Sequence, residues 1–197
     1  MIPDRIHIFG ASGSGTTSLA SVLSRKYGHR HVDTDDFFWL PTDPPYQQKR
    51  PRDARLASLR AALAASPSWV LSGSLCGWGD PLVPEFELAV LLMVPTAVRL
   101  GRLRARELER YSPAALAPGG ALHRTHVEFL DWAAHYDDGG LDMRSRALHD
   151  AWLAMLPCPV IQLEGSRPVD AQLAEVEAAI AAGADRGRHS HVLPSSP

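Results

Sequence analysis

Lysine is almost missing from this chain. Among the 20 basic residues in 197, only Lys26 and Lys49 are lysines, so nearly all positive charge sits on arginine, whose planar fork grips phosphate at two points where an ammonium acts as a point charge. Cysteine is scarce as well. Cys76 and Cys158 lie far apart and form neither a disulfide framework nor a metal-ligand spacing, so they read as free thiols in a reducing compartment. No apolar run approaches the roughly 20 residues that span a bilayer, and the opening MIPDRIHIF has neither a basic leader nor a long apolar stretch. A cytoplasmic protein with no membrane partner is the expectation. The formal net charge of -2 sets up no general field that would gather nucleic acid.

What is present suits a single buried core. The composition, 45% hydrophobic and 21% charged, belongs to a soluble globular chain of one-domain size. Residues 5–9 read as a short buried strand that stops in a glycine and serine cluster, and Leu19, Val22, Leu23 and Tyr27 then recur at helical spacing before Gly28. A second strand over residues 29–33 ends in Asp33, Asp35 and Asp36, followed by an aromatic and proline-rich stretch that needs irregular backbone. Residues 51–65 return to helix, with Leu56, Leu59 and Leu63 on one stripe. Strands follow at 69–71, 88–94 and 160–163, and helices at 96–111, 123–135, 144–156 and 169–182. The strand at 88–94 is apolar throughout, as a strand covered on both faces should be. Strands alternating with helices predict an α/β three-layer architecture around a parallel sheet. The polar stretch after Gly183 reads as a mobile tail.

The run Gly10-Ala11-Ser12-Gly13-Ser14-Gly15-Thr16-Thr17 has the glycine spacing of a phosphate-binding loop, followed by a hydroxyl residue where one reaches Mg²⁺. Glycines let the backbone N–H groups face inward, and the helix that starts near Gly15 adds the positive end of its dipole. The departure is Thr16, which stands where the usual loop has lysine. That lysine offsets charge on the β and γ phosphates. Three readings stay open: an arginine from elsewhere supplies the charge, the site turns over slowly, or the protein only senses nucleotide.

The loop, the Asp33-Thr34-Asp35 group, the strand and turn over residues 69–74 and the arginine-studded helix after Pro95 together resemble the P-loop small-molecule kinases of the nucleoside monophosphate kinase and shikimate kinase type. The likeness extends to about Ala182, and within it the chain resembles a bacterial branch of adenylate kinase-like or AAA-family ATPases of unassigned substrate. The resemblance implies a P-loop fold with about five parallel strands in residues 1–183, an acceptor lobe at about 37–66, a lid at about 111–143 and a flexible tail at 184–197. It also implies ATP and Mg²⁺ as cofactors, transfer of the γ-phosphoryl group, and a nucleotide, nucleoside or small metabolite as acceptor.

The resemblance also places residues. Gly10 through Thr17 would cradle the phosphates, and Thr17, Asp33 and Asp35 would attend the metal. Asp35 would orient the acceptor. The third strand offers Ser72 where the monophosphate kinases carry an acid at that strand's end, which leaves the metal side to Asp33 or Asp35. Arg99, Arg102, Arg106 and Arg110 recur at three- and four-residue spacing, and Arg102 and Arg106 are the expected substitutes for the lysine. Arg144 and Arg146 would reach phosphates, and Gly165 and Pro168 belong to the loop that cups adenine in related kinases. For the acceptor the candidates are Asp33, the cations Lys49, Arg50 and Arg52, and Gly73 and Trp78 in the glycine-rich turn after the third strand. His123 and His126 could share a helical face, but two histidines without a third ligand do not make a zinc site.

Overall fold

The structure is a computed structural model that describes residues 1–189. Five strands, β1 (Arg5–Gly10), β2 (Arg30–Asp33), β3 (Trp69–Ser72), β4 (Leu88–Met93) and β5 (Val160–Glu164), form one parallel sheet in the order β2-β3-β1-β4-β5. Side chains alternate between the two faces of a strand, and both faces are apolar here. Phe9, Leu71 and Leu91 point to a core filled by Leu59, Leu63, Leu82 and Trp152. Ile6, Ile8, Val70, Val90 and Leu92 point the other way, onto Leu19, Leu23, Leu173 and Val176. Helices therefore cover both faces, as the three-layer expectation requires.

On the first face lie α3 (Arg52–Ala64), a 3-10 turn at Asp80–Glu85 and α7 (Arg146–Leu153). On the second lie α1 (Thr16–Tyr27) and α8 (Val169–His189). The carboxyl edge of the sheet carries α2 (Asp35–Phe38), α4 (Thr96–Arg110), α5 (Pro113–Leu116) and α6 (His123–Ala134). Arg99 on α4 is wholly buried and holds this assembly together. Its guanidinium donates to the carbonyls of Val94 and Ala133, to Thr96 Oγ1 and to Asp137 Oδ2.

Two expectations need correction. Residues 144–145 are not helical, because Ser145 caps α7 by accepting from the Leu148 N–H, and this leaves Arg144 free of the helix. The last helix runs past 182 to His189, so residues 184–189 are helix and not tail, while 190–197 lie outside the described residues. After Asp33 the chain turns at Thr34 into α2. Within the expected lid, the segment between α5 and α6 folds back on itself, with the Leu122 N–H donating to Ala115 O and the Gly120 N–H to Ala117 O. Among the described residues, no helix is long and apolar enough to cross a membrane.

Two histidines are buried beneath the sheet's carboxyl edge. His7 stacks between Phe9 and Phe86, with centroids 4.9 and 4.8 Å away; its Nε2–H donates to Gly73 O at 2.9 Å, and burial pushes its pKa down to about 4. His149 sits between Ser74 Oγ and Tyr136 Oη, and burial, with Arg144 next in effect, pushes its pKa down to about 3. In the unfolded chain both bind a proton near pH 6.5, so the stability gained by keeping them neutral is complete above that pH. It drains away as pH falls from about 6.5 toward 4, at about 1.4 kcal/mol per unit per histidine. Urea unfolding at stepped pH should show the decline, and His7→Phe should make it shallower. A midpoint level between pH 7 and 5 would contradict this account.

Candidate active site

β1 delivers the chain to Gly10 at the carboxyl edge, where the loop turns back under α4. A Cβ on Gly13 would lie 2.8 Å from Arg99 O, and its φ of 82° is one that L side chains rarely adopt. Only glycine lets the loop approach α4 this closely. α1 then starts at Thr16 with no side-chain hydrogen bond to its first N–H groups. Those free donors and the dipole's positive end face the loop's concavity. Ser14 Oγ is buried behind the loop, against Gly10, without a partner among the described residues.

Beside the loop, the carboxyl ends of β2 and β3 place Asp33 opposite Ser72. Asp33 Oδ2 accepts from Thr17 Oγ1 and from Ser72 Oγ, each at 2.8 Å, and Oδ1 accepts from the Asp35 N–H at 3.0 Å. Because the Ser72 hydroxyl donates to Asp33, His31 Nε2–H must be the donor in its 2.9 Å contact with Ser72 Oγ. Asp33 and Asp35 thus meet through the turn at Thr34. Asp35 opens onto the adjoining cleft. Partial desolvation by the surrounding protein raises its pKa although the residue is exposed; the Arg144 charge counters this, Asp33 adds to it and Arg106 opposes it again.

The cleft has a volume of about 580 Å³ and joins the loop to Asp33, Asp35 and Gly73. Of the expected cations, Lys49, Arg106 and Arg144 reach it. Arg144 Nη1 donates to Ser12 Oγ at 3.3 Å, with its guanidinium 5.7 Å from the Trp132 ring centroid. Arg110 also lines the cleft, and the remaining arginine candidates go elsewhere. Arg102 Nη1 donates to the carbonyls of Gly13, Ser14 and Gly165, fastening the back of the loop, and is not a cleft residue. Arg50 Nε donates to Phe37 O, Arg52 opens α3 and is exposed, and Arg146 pairs with Asp150 at 2.9 Å. Trp78 is buried in the core with its indole N–H on Ser74 O. Gly165 packs behind the phosphate loop, where a Cβ would lie 3.0 Å from Ser14 O, and Pro168 O starts α8 by accepting from Ala171 and Gln172.

Several cleft residues carry no motif. Tyr46, Glu107, Tyr111, His126, Phe129 and Trp132 line it, brought together by an arm over residues 38–50, closed by the Trp39–Lys49 bridge, and by the pairing of α4 with α6. Helical spacing could have grouped Phe129 with Trp132, but nothing local says which face meets the arm. Among the described residues, no group of three or more His, Cys, Asp or Glu side chains could hold a metal by itself.

Gly73 closes the site from below. Its φ is 100°, and a Cβ there would lie 1.9 Å from Thr34 Oγ1, in the turn between Asp33 and Asp35. Gly73→Ala should therefore cost about 2 kcal/mol or more of stability, partly recovered in the double variant with Thr34→Ala. Denaturant titration of the two variants checks this, and an unshifted midpoint for Gly73→Ala would count against the geometry.

Residues 6–115 match the AAA domain family. The Uncharacterized protein YqaC of Bacillus subtilis (strain 168) is 43% identical over 171 residues, which cover 87% of this chain and 94% of that protein. A cytidylate kinase of Thermococcus sibiricus is 34% identical over 155 residues, 74% of this chain and 76% of that one. Among solved structures, a shikimate kinase from Bacteroides thetaiotaomicron superposes with a TM-score of 0.56 at 16% identity, covering 90% of this chain and 98% of that one. A gluconokinase from Sinorhizobium meliloti 1021 does so with a TM-score of 0.52 at 17% identity, covering 96% and 98%. The two superpositions speak to the fold alone.

Proposed function

The chain belongs to the AAA domain family and, with its cytidylate kinase relative, to the P-loop small-molecule kinase superfamily, and from that premise we propose that it transfers the γ-phosphoryl group of ATP to a small acceptor bound in the cleft. The observation that carries this reading is the meeting of three features at one cleft: an anion-ready glycine loop, the Thr17–Asp33 contact of 2.8 Å, and the Asp35 carboxylate facing Arg106 and Arg144.

The backbone N–H groups of residues 10–17 would hold the phosphates, a task that the uncapped start of α1 fits. The Thr17 hydroxyl donates to Asp33, so its lone pairs turn away from that carboxylate and toward the loop. Thr17 and Asp33 thus supply hard oxygens for Mg²⁺, which commonly takes one or two carboxylates and leaves its other positions to phosphate and water. When bound, ATP and Mg²⁺ supply the transferable phosphoryl group and a bridging positive charge. Asp35 would take a proton from the acceptor hydroxyl, a role for which a raised pKa suits a carboxylate. Arg144, already on Ser12, would provide the charge that Thr16 lacks, and Arg106 would act with it. The arm with α3, within residues 37–66, would hold the acceptor, and the α5–α6 segment within 111–143 would exclude water. One observation favours a second reading, a nucleotide-binding regulatory protein or weak ATPase: Thr16 brings no charge to the loop.

Incubation with γ-labelled ATP and a panel of nucleotides, nucleosides and small metabolites separates the two. Label on a defined acceptor supports the kinase; tight ATP binding without transfer supports the regulatory protein. For an active protein, Arg144→Ala should lower kcat by about 100-fold, the scale of one lost transition-state contact. Arg102→Ala should instead lower the melting temperature, because its bonds all end on backbone carbonyls. The reverse pattern would return the compensating charge to Arg102.

A further inference from the structure

The parallel register of β2 and β3 sets Asp33 opposite Ser72. Residues two apart on a strand share a face, so His31 stands on the same side of β2 as Asp33, diagonal to Ser72. The Thr34 N–H donates to Ser72 O at 2.9 Å, which carries the pairing one residue past the strand and keeps the two ends in step. Ser72 is wholly buried, and its hydroxyl meets two side chains, Asp33 Oδ2 at 2.8 Å and His31 Nε2 at 2.9 Å. One hydroxyl proton serves only one of them. Turned toward His31, it would leave the Ser72 and Asp33 oxygens facing each other at 2.8 Å with no proton between them. Turned toward Asp33, it leaves an oxygen lone pair to the His31 Nε2–H. The chain of bonds is therefore directional, from imidazole to hydroxyl to carboxylate, and each bond in such a chain polarises the next.

The far end of that chain is the acid of the site. An ionised carboxylate offers about four lone-pair sites. The Thr17 and Ser72 hydroxyls take those on Oδ2, and the Asp35 N–H takes one on Oδ1. A single site remains, on Oδ1. The torsion that turns an aspartate carboxylate has a broad minimum, so its orientation is set by these partners and not by its own rotamer. Without the Ser72 donor nothing opposes Thr17 across Oδ2, and the carboxylate is free to swing.

Resting on the phosphotransferase reading above, we propose that His31 is a positioning residue for the metal side of the site: through Ser72 it holds Asp33 Oδ2 against Thr17 and leaves one lone pair of Oδ1 for the Mg²⁺ shell. His31 acts only through the two bonds that separate it from the carboxylate. One remaining site suits Mg²⁺, which is usually met by one or two carboxylates and keeps several waters.

Calorimetry of ATP binding to the full chain, in EDTA and in saturating Mg²⁺, tests this without an acceptor. Mg²⁺ should raise the ATP affinity of the native chain. His31→Phe and Ser72→Ala should each cut that enhancement about tenfold, the lower end of what loss of an outer partner costs a metal site, while the affinity in EDTA stays as it was. A purely structural role would shift both affinities together. His31→Gln keeps an N–H donor near the position of Nε2 and should recover most of the enhancement. Nitrogen NMR of the native chain gives a measurement that needs no variant: His31 should carry its proton on Nε2, and an Nδ1–H tautomer overturns the inference. An enhancement missing from the native chain, or unchanged in both variants, also overturns it, while bound ATP leaves the phosphotransferase reading standing. No ATP binding, with or without Mg²⁺, overturns both.

Discussion

The Asp33 carboxylate is the point on which the site depends. Thr17 reaches it from α1, Ser72 from β3 and the Asp35 N–H from the start of α2. One side chain therefore fixes the first helix, two strand ends and the following turn relative to one another. Hydrogen bonds to an ionised acceptor are the strong ones, and these radiate from one group. The third strand carries no acid at its end, but its serine still takes part by holding the acid of the neighbouring strand, with His31 behind it.

Arginine is then distributed by geometry and not by sequence spacing. Four guanidiniums stand on one stripe of α4, but their fates differ because the helix passes different neighbours along its length. Arg99 is sealed among carbonyls and Asp137. Arg102 ties the back of the phosphate loop to the β5 end. Arg106 and Arg110 reach the open cleft. A buried guanidinium is tolerated only when its donors are satisfied, and carbonyls that satisfy it at Arg99 and Arg102 remove it from service to a ligand. Arg144 reaches the loop from outside any helix, because the Ser145 cap stops α7 one residue after it.

The layers were legible because they rest on local rules. Continuous apolar runs on β3 and β4 could only be buried on two faces, and the glycine cluster after β1 marked the turn from strand to helix. Glycine at Gly73 was visible, but its reason was not: the contact with Thr34 Oγ1 spans two strands. Trp78 shows the converse error. An aromatic residue in a glycine-rich turn resembles a binding surface in sequence, yet the turn folds inward and Trp78 joins Phe86 and Leu82 in the core.

Sequence alone determined the sheet with its helices, the loop with its absent lysine and the acidic pair near it, because period, turn chemistry and motif spacing act over a few residues. Tertiary structure alone decided which arginine meets the loop, that Ser72 grips Asp33, and that Glu107 and His126 come within 3.9 Å of each other in the wall of the cleft. Those outcomes depend on contacts between elements distant in the chain, whose register follows from packing and backbone satisfaction and leaves no trace in local pattern.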